Sequence, residues 1–221
     1  MVFEFFKGGS SAVEEVENKL VQMLVDGCEV FDTATDALFG GGKSKETKRE
    51  VRSTDRNINV AQQDVRRELM IHASVQDTVD LPLVLAYMST VKDAERIGDY
   101  AKNVYDLVRY GADFEHAPDR AELSAYRERV SHLIREAAEA FAAKDTEHAQ
   151  RLINKADGFL DDYDAQVKAA YRWEGTASDA VSRALYFRFL KRITAHVMNF
   201  LTSLVMPVDR LDYYDEAKED R

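Results

Sequence analysis

Glu95-Arg96-Ile97-Gly98-Asp99-Tyr100-Ala101-Lys102-Asn103 has a partial copy in Lys191-Arg192-Ile193-Thr194-Ala195-His196-Val197-Met198-Asn199. The Arg-Ile pair coincides, and so does the Asn seven residues after that Arg. Each stretch sits in the last of three amphipathic segments, so the chain reads as one three-helix unit used twice.

The breakers mark the unit boundaries. Pro82, Pro118 and Pro207 fall at segment ends, as do Gly40-Gly41-Gly42, Gly111 and Gly175. Between them apolar residues recur at spacings of three and four, the signature of helices with one buried face. A first helix is expected over 12–38, with Val13, Val16, Leu20, Met23, Leu24, Phe31 and Leu38 on its stripe. A second covers 45–76, with Ile58, Val65, Leu69 and Ala73 on one face. Asp80 is suited to cap a third, because its side chain accepts from free N–H groups. Pro82 then falls in the first turn, where a missing N–H costs least, and Gly111 ends the helix after Tyr110. A polar linker, 112–119, leads to helices over 120–143, 146–173 (capped by Asp145) and 178–205. No useful stretch alternates with period two. The expectation is an all-α fold of six long helices in two tandem three-helix repeats, 1–111 and 120–208, with a charged tail at 209–221.

Composition narrows the function. The net charge of −10 would repel phosphate backbones and anionic lipid, so nucleic acid is not expected as a partner. The only notable basic cluster, Lys43, Lys45, Lys48 and Arg49, reads most simply as a solvated loop and helix start. Cys28 is the single cysteine, which rules out an intrachain disulfide and fits a reducing compartment. The N-terminal stretch is too short and too acidic for a signal peptide, although Phe3, Phe5 and Phe6 are suited to tuck onto a bundle. No apolar run approaches the ~20 residues that span a bilayer. A cytoplasmic location is expected, with membrane contact at most peripheral and through partners.

The chemistry concentrates on the third helix. Glu95 and Asp99 are four apart, one turn apart on the face that carries Met88 and Val91. Carboxylates on an inward face repel each other and lose hydration, so they need a cation, a proton or basic partners. Gly98 between them lets a neighbouring helix or ion approach closely. If the second and third helices form a hairpin turning near Thr78–Asp80, then Asp55 and Asn59 face the stretch from Asp99 to Asn103. These oxygens would suit a hard or borderline divalent cation. In the second unit Asp157 and Asp161 repeat the spacing, but a turn near Gly175 sets Lys191 and Ala195 against them. An ion pair of Lys191 with an aspartate is expected there, and the lone His196 reads as structural. Asp93 with Arg96 and Asp106 with Arg109 look like local pairs.

The stretch from Asp93 to Val104, Asp-Ala-Glu-Arg-Ile-Gly-Asp-Tyr-Ala-Lys-Asn-Val, resembles the signature helix of the PhoU family. That resemblance implies two three-helix repeats and a role in regulating phosphate uptake, with a phosphate transporter and a sensor histidine kinase as partners. It also implies metal ions, iron, zinc or magnesium, bound by paired acidic motifs. Glu95 and Asp99 match the motif fully, Asp55 and Asn59 in part, and Asp157 and Asp161 match its counterpart in the second repeat. Lys191 and Ala195 depart from it. A metal in the first repeat would tighten the second and third helices, and chelation would then lower the melting temperature.

Two rivals stand beside this reading. A metal-free helical adaptor, or an accessory protein of an inorganic phosphate transporter, would satisfy the acids with Arg66, Arg67, Arg96 and Lys191. A di-metal carboxylate oxidase would need Glu-x-x-His pairs, for which Asp113/His116 and Asp145/His148 are the nearest approximations. The aromatic residues Tyr105, Tyr110, Tyr186, Phe187 and Phe189 suit a homodimer as well as a core.

Overall fold

The computed structural model describes residues 9–41, 44–76 and 78–212. Phe3, Phe5, Phe6, Lys43 and the end of the charged tail lie outside them. The described residues form six long helices: α1 (Gly9–Asp36), α2 (Lys45–Val75), α3 (Leu81–Tyr110), α4 (Arg120–Ala142), α5 (Thr146–Ala170) and α6 (Ala177–Val205). None is long and apolar enough to cross a membrane.

The ends form where local chemistry requires. The Asp80 side chain accepts from Leu83 N–H at 3.1 Å, with Pro82 in the first turn of α3. Gly111 closes α3 at φ 105°, a left-handed value that suits glycine. Thr176 and Asp179 cap α6 reciprocally. Helix α5 stops three residues short of the expected end, because Trp173 leaves the helix to lie over Arg183, 3.8 Å from guanidinium carbon to ring centre.

Helices α1–α3 pack together, as do α4–α6, and the two units meet through equivalent helices. Helix α1 runs antiparallel to α4: Arg127 pairs with Asp36, Arg135 with Asp32, and Lys144 with Glu17. Helix α3 runs antiparallel to α6: Asp93 pairs with His196, and Tyr100 with Phe189 and Arg192. Helices α1 and α3 therefore each meet their own counterpart, as in a two-fold dimer folded into one chain. Tyr100 and His196 hold the same position in the two repeats, and their rings stack 5.6 Å apart at the crossing. One continuous apolar core runs through both units.

The expected polar linker is more structural than its composition implies. Phe114 is buried between Phe39 and Tyr186, edge-on to both, and its N–H donates to Leu38 C=O at 2.9 Å. Arg183, also buried, forms a two-pronged pair with Asp119 at 2.5 and 2.6 Å and stacks against Trp173. This pair holds the Asp119 carboxyl below its usual range against the opposing effect of burial. Of the aromatic residues considered for a dimer face, Tyr105, Tyr186 and Phe187 are core, whereas Tyr110 is 77 % exposed.

Because Phe114 joins both repeats, Phe114→Ala should lower stability by about 3–5 kcal/mol. Urea unfolding followed by circular dichroism should show a lower midpoint and still a single transition. Two separated transitions in the unsubstituted protein would mean that the repeats unfold independently.

Candidate functional site in the α2–α3 hairpin

The hairpin turns where the sequence placed it. Asp55 lies opposite Lys102, Ile58 opposite Gly98 and Gln62 opposite Glu95. Gly98 suits this approach, since a Cβ there would stand 2.8 Å from Ile58 Cδ1 and the end of that side chain would have to shift. The space made by the glycine is filled by a neighbouring helix.

Three carboxylates come near each other in this seam, and two cations of α3 meet them. Lys102 Nζ donates to Asp55 at 2.8 Å and to Asp99 at 2.9 Å. Arg96 donates to Asp99 at 2.8 Å, and its Nε lies 3.7 Å from Glu95. Gln62 donates to Glu95 at 3.5 Å. Asn59 donates to the backbone carbonyl of Asp55 at 2.8 Å, so its amide is tied to its own helix.

Charge balance in the seam is incomplete. Three acids face two bases, and the deficit falls on Glu95, which is 9 % exposed. Burial pushes its carboxyl above the ordinary range, the nearby charge of Asp99 adds to the shift, and Arg96 opposes it. Lys102 shows the reverse balance. Burial alone would depress it, but its bonds to Asp55 and Asp99 outweigh that and raise it.

The family resemblance implies a metal ion here, and the donor set does not fit one as it stands. An ammonium group already bridges the two carboxylates that an ion would share. Among the described residues, no three His, Cys, Asp or Glu side chains are placed to hold a metal.

The second repeat departs further. Lys191 does form an ion pair, but with Asp164 at 2.6 Å and three residues beyond the nearer expected aspartate. The Trp173–Arg183 stack shows why: the loop folds back along α6, so the α5–α6 hairpin turns about residue 178 and not at Gly175. Asp161 lies on the exposed side of α5 and Asp157 is half-buried. His196 is structural, with Nδ1 2.8 Å from Asp93 and Nε2 3.3 Å from Arg192. The expected Asp93–Arg96 pair is therefore replaced by Asp93–His196, while Asp106–Arg109 forms as expected. His116 pairs with Asp113 on the surface, and Asp145 caps α5, so neither supplies a core His-carboxylate motif.

Residues 20–108 match the PhoU domain. The first repeat is thus PhoU-like, and relatives described as PhoU homologs extend the likeness to most of the chain. It is 27 % identical over 196 residues to the phosphate-specific transport system accessory protein PhoU homolog of Synechocystis sp., covering 85 % of each chain. The homolog of Aquifex aeolicus is 24 % identical over 182 residues, 81 % of each chain. The fold is that of the crystal structure of the phosphate transport system regulatory protein PhoU from Streptococcus pneumoniae, with TM-score 0.78, 19 % identity, and 90 % of this chain and 95 % of that one covered. PhoU from Pseudomonas aeruginosa gives TM-score 0.77 at 23 % identity, over 92 % and 99 %.

Lys102 is the site residue that sequence reasoning passed over. Its signal was available: it lies three after Asp99 on the same helix, and the hairpin register sets it opposite Asp55.

Two outcomes test this charge balance. Lys102→Met should destabilise by about 1–3 kcal/mol, the range for losing charged hydrogen bonds. Thermal melts should show that added magnesium or zinc restores the variant and leaves the unsubstituted protein unchanged. Glu95 has a raised folded pKa, so its contribution to stability is fully present at low pH and is lost as pH rises through the folded value. Glu95→Gln should therefore melt at or above the unsubstituted protein at pH 7, with the gain vanishing below about pH 4, under the ordinary glutamate range.

Proposed function

We propose that this chain is a non-catalytic regulator of phosphate transport and signalling that works by docking to other proteins. The supporting observation is the extent of the likeness: relatives described as phosphate-specific transport accessory proteins match over more than four-fifths of both chains. The partners in this reading are a phosphate transporter and a sensor histidine kinase. The seam chemistry agrees with a docking role. Lys102 links Asp99 of its own helix to Asp55 of α2, which rigidifies a helical surface.

The internal cation favours docking that does not depend on metal. Lys102 supplies the positive charge between Asp55 and Asp99, so the α2–α3 geometry is set by the chain itself.

Removing the gene from its host should alter phosphate uptake and the phosphate response of transporter expression. Untagged protein should co-purify with transporter components, to different extents from phosphate-replete and phosphate-starved cells. Unchanged uptake and unchanged phosphate response in the deletion strain would overturn the proposal. Restoration of the response by Lys102→Met only when divalent metal is supplied would support the metal-independent role of the native seam.

A further inference from the structure

The outer side of α2 carries charge of the opposite sign to the chain as a whole. Lys45, Arg49, Arg52 and Arg56 follow spacings of four, three and four, so they form one row along the helix. All four are exposed, and the row lies opposite the buried Val51, Ile58 and Val65. Lys48 flanks it, half-buried.

The row continues with the same spacing through Val60, Gln63, Arg67 and Met70. Val60 is 50 % exposed and Met70 57 % exposed. Ile71 and Val75 stand beside the row, also exposed. No acid interrupts it from Lys45 to Met70, in a chain with 40 acidic residues against 30 basic ones.

The cations of the first half are unspent. Among the described residues, no carboxylate lies within ion-pair distance of Lys45, Arg49, Arg52 or Arg56, whereas Arg67 pairs with Asp64. Of the intervening acids, Asp55 is held by Lys102 in the seam and Glu50 accepts from Thr33 of α1, which leaves the exposed Glu46 beside the row. Helix α2 packs against α1 and α3, and its outer side faces away from both.

We propose that this row is a docking surface for an anionic phospholipid bilayer. A straight helix of this length presents a line of about 38 Å, convex and without a groove. A flat leaflet can meet it along its whole length, with the cations at the headgroups and Val60 and Met70 at the acyl boundary. A nucleic acid backbone would satisfy the cations and leave the exposed apolar groups in water. An acidic protein segment would need a groove or a complementary row of this length. The inference stands on the row alone and does not require the phosphate-regulator reading.

The test is vesicle co-sedimentation of the full chain with phosphatidylcholine alone and with phosphatidylcholine containing phosphatidylglycerol. Binding is expected only with phosphatidylglycerol, and it should fall as salt rises. The triple variant Arg49→Gln, Arg52→Gln, Arg56→Gln should weaken binding by about 100-fold, roughly five-fold per cation. A control triple on α5, Arg151→Gln, Lys155→Gln, Lys168→Gln, changes the net charge equally and should bind like the unsubstituted protein. Circular dichroism melts establish that both triples remain folded; if the α2 triple does not, Arg52→Gln alone, with its five-fold loss, takes its place. Absence of binding to phosphatidylglycerol vesicles, or equal weakening by the two triples, would overturn the proposal. So would binding to duplex DNA as tight as to vesicles, which would mark a general anion surface.

Discussion

Helix α3 is packed by three other helices, and the arrangement of charge in the molecule follows from that. It is packed by α1, α2 and α6, and half of its positions are buried, Asp93 and Glu95 among them. An acid on such a helix must find its partner inside the fold, because an unpaired buried charge is far more costly than a hydrated one. Each acid does so in a different direction. Asp93 turns to His196 of the other repeat, Asp99 to Arg96 and Lys102 of its own helix, and Glu95 to Gln62 of α2 while resisting ionisation. These solutions tie α3 to α2 of its own repeat and to α6 of the other.

The repeat explains the asymmetry. Equivalent helices meet antiparallel, so the two seams occupy corresponding places, but their chemistry differs. Where the first repeat has Asp99 and Lys102, the second has Ala195 and Met198, the latter fully buried. Acid and lysine are present together in one repeat and absent together in the other. That is the pattern of a cation held for a particular carboxylate. Removing the lysine would strand the charges of Asp55 and Asp99 together.

Helix count, most helix ends and the first hairpin register were readable because each rests on local signals: spacing, caps, prolines and the position of one turn. The second hairpin was misplaced because a tertiary contact, Trp173 over Arg183, carries the chain back along α6 past its local turn residues. Phe114 was hidden in the same way. Its neighbours in sequence are polar, and only the meeting of Phe39, Tyr186 and the 112–119 segment makes it core. The acids of the site were legible as a motif. Their partners were harder to read, since the choice among Arg66, Arg67, Arg96, Lys102 and Lys191 depends on which side chains the hairpin brings within reach.

The inner and outer faces of α2 are linked through its rotation about its own axis. Asp55 reaches Lys102 only when α2 is turned so that Val51, Ile58 and Val65 enter the core. The same rotation sends Lys45, Arg49, Arg52 and Arg56 outward as one line. A rotation of one residue, about 100°, would break the Asp55–Lys102 bond and carry the row towards α1 or α3. An internal lysine is well suited to hold this orientation. It is part of the chain, so the rotational setting of α2 is fixed whenever the protein is folded, at any ambient concentration of metal.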